Sequence, residues 1–74
     1  MKSSNPENPG GFSRNEIETM RLICKQYTNK EIASKLNRMV RTIDGYRETI
    51  LLKTKARNTA GIVVYAIRKG IYKV

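Results

Sequence analysis

Thr28-Asn29-Lys30-Glu31-Ile32-Ala33-Ser34-Lys35-Leu36, followed after a five-residue gap by Thr42-Ile43, decides the reading of this chain. Thr28 and Glu31 have the spacing of a capping box, in which the hydroxyl accepts from the amide three residues on and the carboxylate reaches back to the cap. The helix begun there carries Ile32, Ala33 and Leu36 on one side and Lys30, Ser34 and Lys35 on the other. Ala33 is small enough to let a second helix cross closely, although an exposed helix could use Ala equally well. A capped helix, a tight turn and a second helix form the outline of a helix-turn-helix.

Working outward, Ser13-x-x-Glu16 repeats the capping-box pattern and predicts a first helix with Ile17, Met20, Ile23 and Cys24 at helical spacing, ending near Gln26 or Tyr27. A third helix is expected over 40–55. Ile43, Arg47, Ile50 and Thr54, flanked by Tyr46, form its inner stripe, and Arg41, Asp44, Gly45, Glu48 and Leu52 its outer one. Arg47 is expected to bury its stem and extend its guanidinium outward. Asn58 can cap a fourth helix over 59–69, closed by Gly70 as a left-handed cap. Gly61-Ile62-Val63-Val64-Tyr65 has strand propensity, but a lone strand would leave its backbone unpaired, so helix is the expectation. The apolar residues of this helix exceed what one small core should consume, and a second protomer is the expected cover.

The chain has 74 residues, and its first eleven hold two Pro, two Gly, two Ser and two Asn, the composition of a disordered leader or linker. Residues 12–74 remain for one small domain. Fifteen Lys and Arg against six acids give a net charge of +9, and Thr49 to Val74 holds six bases with no acid. Such a balance sets up a long-range positive field suited to a polyanion, although a Lys-rich soluble surface would give the same count. With no His and a single Cys, the chain offers no usual zinc spacing and no internal disulfide, and Cys24 reads as a small buried apolar residue. No catalytic constellation, metal or cofactor is expected. No apolar run is long enough for a membrane span and no secretory signal is seen, so the expected location is cytoplasmic.

From Phe12 to about Ile71 the chain resembles the LuxR/NarL/FixJ-type DNA-binding domain, the output module of many bacterial response regulators. Phe12-Ser13-Arg14-Asn15-Glu16-Ile17-Glu18 resembles the opening of that family, and Tyr27-Thr28-Asn29-Lys30-Glu31-Ile32-Ala33 is similar to its most recognisable string. Arg41 to Arg47, with Ile50 and Lys53, follows the spacing of its recognition helix, and Tyr65-Ala66-Ile67-Arg68-Lys69-Gly70-Ile71 that of its terminal helix. The resemblance implies an all-α, four-helix domain whose third helix enters the major groove of duplex DNA. It implies base-facing positions at Asp44, Gly45 and Glu48, and positions near phosphates at Lys30, Arg41, Thr42, Arg47 and Lys53. It also implies a homodimer on an inverted repeat, formed through Ile62, Val63, Ala66 and Ile67 of the fourth helix, with RNA polymerase as a further partner to consider.

Three places depart from the family pattern. Arg38 stands where an apolar residue is usual, Met39 where Ser or Thr caps the recognition helix, and Thr54-Lys55-Ala56 where Leu-Gly-Val or Leu-Asn-Val is common. A missing cap costs about 1 kcal/mol, so a domain less stable than its relatives is expected. Asp44 and Glu48 are also unusual for a DNA-facing surface. A carboxylate accepts from cytosine N4 but is repelled by phosphates, so it mostly penalises wrong sequences; a solvated face partly neutralised by Arg41 and Arg47 is the plainer account.

Two other functions fit parts of the pattern. A sigma-factor-like promoter reader shares the capped helix pair but gives no reason for an apolar fourth helix ending in Gly70. A protein-interaction module would dock through that fourth helix and use the basic charge only for solubility. Sequence-specific duplex DNA binding for transcription regulation is the reading that accounts for most of the residues.

Overall fold

A computed structural model describes residues 11–74. The expected leader falls outside the described residues, apart from Gly11. Four helices follow in order, α1 (Arg14–Cys24), α2 (Asn29–Leu36), α3 (Val40–Thr54) and α4 (Thr59–Arg68), and no strand occurs among the described residues. The all-α, four-helix architecture is the one the sequence led us to expect.

Both capping boxes form. The Glu16 amide donates to Ser13 Oγ at 3.2 Å while the Ser13 amide donates to Glu16 Oε1 at 2.9 Å. At α2 the Glu31 amide donates to Thr28 Oγ1 at 3.2 Å and the Thr28 amide to Glu31 Oε1 at 2.8 Å. The first helix stops at Cys24, two to three residues earlier than its periodicity suggested. Gln26 turns left-handed at φ 69°, and the Tyr27 amide returns to the Leu22 carbonyl at 3.1 Å. Such a return satisfies carbonyls that the helix end would otherwise leave open.

Phe12, Met20, Ile32, Ile43, Ile50 and Ile62 are fully buried at the centre, with Ile17, Leu22, Ile23, Ala33, Ala66 and Ile71 completing the core. The inner stripe of α3 falls as its spacing dictates: Ile43 and Ile50 are buried, and Tyr46, Arg47 and Thr54 are half-buried. Arg47 as a whole is half-buried, and its guanidinium takes part in an exposed hydrogen bond. It donates to the Thr59 hydroxyl and so ties α3 to the start of α4.

Helix α4 forms despite its strand propensity. Asn58 caps it by accepting from the Gly61 amide at 3.1 Å, and Ile62 and Ala66, one turn apart, present one face to the core. Gly61 permits the close approach: a Cβ there would lie 2.8 Å from that of Ala56. Gly70, at φ +75°, closes the helix end as expected, and the Ile71 amide returns to Ala66 at 2.8 Å. Arg21 Nε then donates to the Ile71 carbonyl at 3.1 Å, fastening the chain end to α1.

One expectation about α4 needs correction. Ile62 and Ala66 are 0% exposed and belong to this protomer's own core, so they are not open to a second protomer. Their spacing could not say which side of a nearly all-apolar helix faces inward. The apolar residues left outside are Val64, 54% exposed, and Ile67, 39% exposed, with Val63 half-buried beside them.

Candidate nucleic-acid interface

The capped start of α2, the turn Asn37-Arg38-Met39 and the outer side of α3 all carry exposed residues. The turn is tight because Asn37 takes the left-handed conformation at φ 56°, which Asn adopts more readily than most residues. The Arg38 amide then returns to Ala33 at 2.8 Å. Ala33, 5% exposed, lies buried at this crossing, as its small size allows. Met39 precedes α3 in extended conformation with no side-chain bond to the first-turn amides, so α3 has no side-chain cap.

On this surface Arg41, Asp44, Gly45 and Glu48 are all exposed, and Lys30 stands exposed in the first turn of α2. Thr42 is half-buried, its amide bonded to the Met39 carbonyl at 2.9 Å. The free amides and dipole at the start of α2 favour an anion next to Lys30. Arg38, which departs from the family pattern, is also exposed here. Its position in the turn between the two helices was the signal that could have marked it as an exposed cation next to α3.

Two expected phosphate contacts also bond within the domain. Arg47 is bound to Thr59. Lys53 Nζ donates to Glu16 Oε1 at 3.0 Å and to the Gly11 carbonyl at 3.1 Å, and lies 5.4 Å from the centre of the Phe12 ring. Sequence periodicity put Lys53 at an exposed position but gave no view of the α1 cap that it meets.

Asp44 accepts a hydrogen bond from Asn29 Nδ2 at 2.7 Å, joining the first residue of α2 to the second turn of α3. The ion pairs among the described residues are Glu18 with Arg21 and Glu16 with Lys53. Neither Arg41 nor Arg47 forms an ion pair with Asp44 or Glu48 among the described residues. Cys24 is half-buried rather than fully buried, and that burial pushes its thiol pKa up. Among the described residues no group of three or more His, Cys, Asp or Glu could hold a metal ion, and no helix is long and apolar enough to cross a membrane.

The family described as "Bacterial regulatory proteins, luxR family" matches residues 11–66, which include the whole of α1, α2 and α3 and most of α4. The chain belongs to this family. Oxygen regulatory protein NreC of Staphylococcus carnosus (strain TM300) is 39% identical over 60 residues, covering 81% of this chain and 28% of that protein. Oxygen regulatory protein NreC of Staphylococcus aureus (strain JH9) matches with the same identity and coverage. The chain thus spans little more than a quarter of the length of these curated relatives. No solved structure matches it. Transcription regulation through a DNA-binding helix-turn-helix is the class of function that this membership carries.

Proposed function

We propose that this chain reads duplex DNA by laying the outer side of α3 in the major groove, with α2 across the backbone, as the DNA-binding part of a transcription regulator. The observation that carries the reading is the exposure of Lys30, Arg38, Arg41 and Glu48 on α2, α3 and the turn that joins them, in a chain of net charge +9. Lys30, Arg38 and Arg41 serve as phosphate contacts, with Thr42 beside them. These contacts fix position without reading sequence, which falls to Asp44, Gly45 and Glu48. Gly45 has no atom within 4 Å of a would-be Cβ, so its lack of a side chain answers to nothing inside the protomer and suits close approach of a base edge.

Pairing through Val64 and Ile67 of α4 would set two recognition helices about one DNA turn apart on an inverted repeat. The regulatory role in the relatives' names supports a regulator of the same broad kind.

A salt titration against random duplex DNA tests the groove reading. Affinity should fall steeply with salt, and a Lys30→Ala, Arg41→Ala double mutant should lower the slope by about two units, near one per phosphate contact removed. No binding at low salt, or a slope unchanged by the double mutant, rejects it. In that event a protein-docking role for α4 would gain support from apolar binding that salt barely alters.

A further inference from the structure

We infer that Asn29 is a positioning residue that aims the Asp44 carboxylate at a cytosine in the bound half-site. The inference rests on the groove-docking reading above and adds the base that this part of the surface selects.

Among the described residues, the Asn29 to Asp44 bond is the one side-chain hydrogen bond linking α2 to α3. Asn29 is half-buried at the first position of α2, on rigid helical backbone, whereas Asp44 is exposed. The bond occupies Oδ1 at 2.7 Å and leaves Oδ2 free to accept. The partner is neutral. An Arg or Lys in that place would cancel the carboxylate's charge and compete for it, while an amide fixes its direction and leaves the charge intact. In a chain with fifteen Lys and Arg, Asp44 nonetheless takes part in neither ion pair of the described residues.

Hydrogen-bonding patterns in the major groove decide what such an acceptor selects. Guanine presents O6 and N7 and thymine presents O4, all acceptors that repel a carboxylate. Adenine offers its N6 donor beside the N7 acceptor, so attraction and repulsion oppose each other. Cytosine offers the N4 donor with no acceptor on its own major-groove edge, the nearest being O6 of the paired guanine. The open space around Gly45, the next residue on the helix, lets the groove floor come close enough for that contact.

Selection of preferred sites from a random duplex pool, followed by affinity measurements on the selected site and on random DNA, tests the assignment. Wild type should favour cytosine at one position of each half-site by about tenfold over the other bases. Asp44→Asn should move the preference at that position toward adenine, whose N6 and N7 match a side-chain amide. Asn29→Ala should lose most of the cytosine preference while random-duplex affinity and the thermal midpoint stay unchanged, a pattern that a merely structural role would not give. The inference is overturned if the selected sites show no position that responds to Asp44→Asn, if Asn29→Ala leaves the cytosine preference intact, or if Asp44→Asn raises affinity for all sequences alike. Failure of wild type to bind any duplex at low salt would instead reject groove docking, and this assignment with it.

Discussion

The ammonium of Lys53 sits 3.0 Å from the Glu16 carboxylate, the same oxygen that closes the capping box of α1. Glu16 has only 11% of its side chain exposed, and Lys53 sets an opposite charge directly against it. The contact joins the end of α3 to the start of α1, and the Gly11 carbonyl shares it at 3.1 Å.

Lys53→Ala should therefore lower stability, by about 1–2 kcal/mol for a partly exposed charge-assisted bond. Chemical denaturation measures that loss. The salt slope of DNA binding in the folded mutant should match wild type, because the ammonium is already bonded to Glu16 and to the Gly11 carbonyl. A slope reduced by one unit with stability unchanged would return Lys53 to the phosphate contacts.

Met39 and Lys55 stand at the two ends of α3, and each leaves an opportunity unused. Met39 makes no side-chain cap bond, so Met39→Ser should stabilise the fold by about 1 kcal/mol. Lys55 is left-handed at φ 59°, where a Cβ is costly, and Lys55→Gly should add about 0.5–1 kcal/mol. A thermal melt should rise by about 4–8 °C per kcal/mol in a domain of this size. A midpoint that stays or falls in Met39→Ser would mean that the first-turn amides of α3 are satisfied in some other way.

Gly45→Ala separates stability from function. Nothing inside the protomer lies within 4 Å of the new Cβ, so the substitution should stabilise α3 by about 1 kcal/mol through helix propensity. On DNA the same methyl meets the groove floor, and specific affinity should fall while random-duplex binding changes little. Equal affinity for a selected site would place Gly45 away from the base edges.

The helices were legible because their signals are local. Ser13 and Glu16, Thr28 and Glu31, Asn58 and Gly70 each announce a boundary within a few residues of it, and all of them act at helix ends in the fold. What stayed hidden depends on which distant elements meet. Residues 61–67 are apolar nearly all round, so spacing alone could not assign Ile62 and Ala66 to the core and Val64 and Ile67 to the surface. Lys53 lies 42 positions from Gly11, and Asn29 lies 15 from Asp44. Neither pairing has a sequence period. Thr54 shows how a departure is absorbed: in place of a usual Leu, its hydroxyl donates to the Ile50 carbonyl at 2.8 Å and accepts from the Ala56 amide at 3.3 Å, securing the end of α3.

Self-association and DNA binding should respond to salt in opposite directions. The exposed apolar residues Val64 and Ile67 are flanked by Arg68 and Lys69, and the segment from Thr49 onward carries six bases and no acid. Two copies joined through α4 bring these like charges together without DNA between them. Raising salt from about 0.1 M to about 1 M shortens the screening length from roughly 10 Å to roughly 3 Å, which relieves that repulsion and favours the apolar contact. Over the same range, phosphate binding weakens steeply. Sedimentation of the free protein should thus show more dimer at high salt, and Val64→Asp should abolish it and leave the monomer folded, since Val64 lies outside the core. DNA phosphates supply the missing counter-charge, so on an inverted repeat the pair should form at low salt with cooperative binding that Val64→Asp removes. Self-association that weakens with salt, or that survives Val64→Asp, would mean that α4 is not the surface where two copies meet.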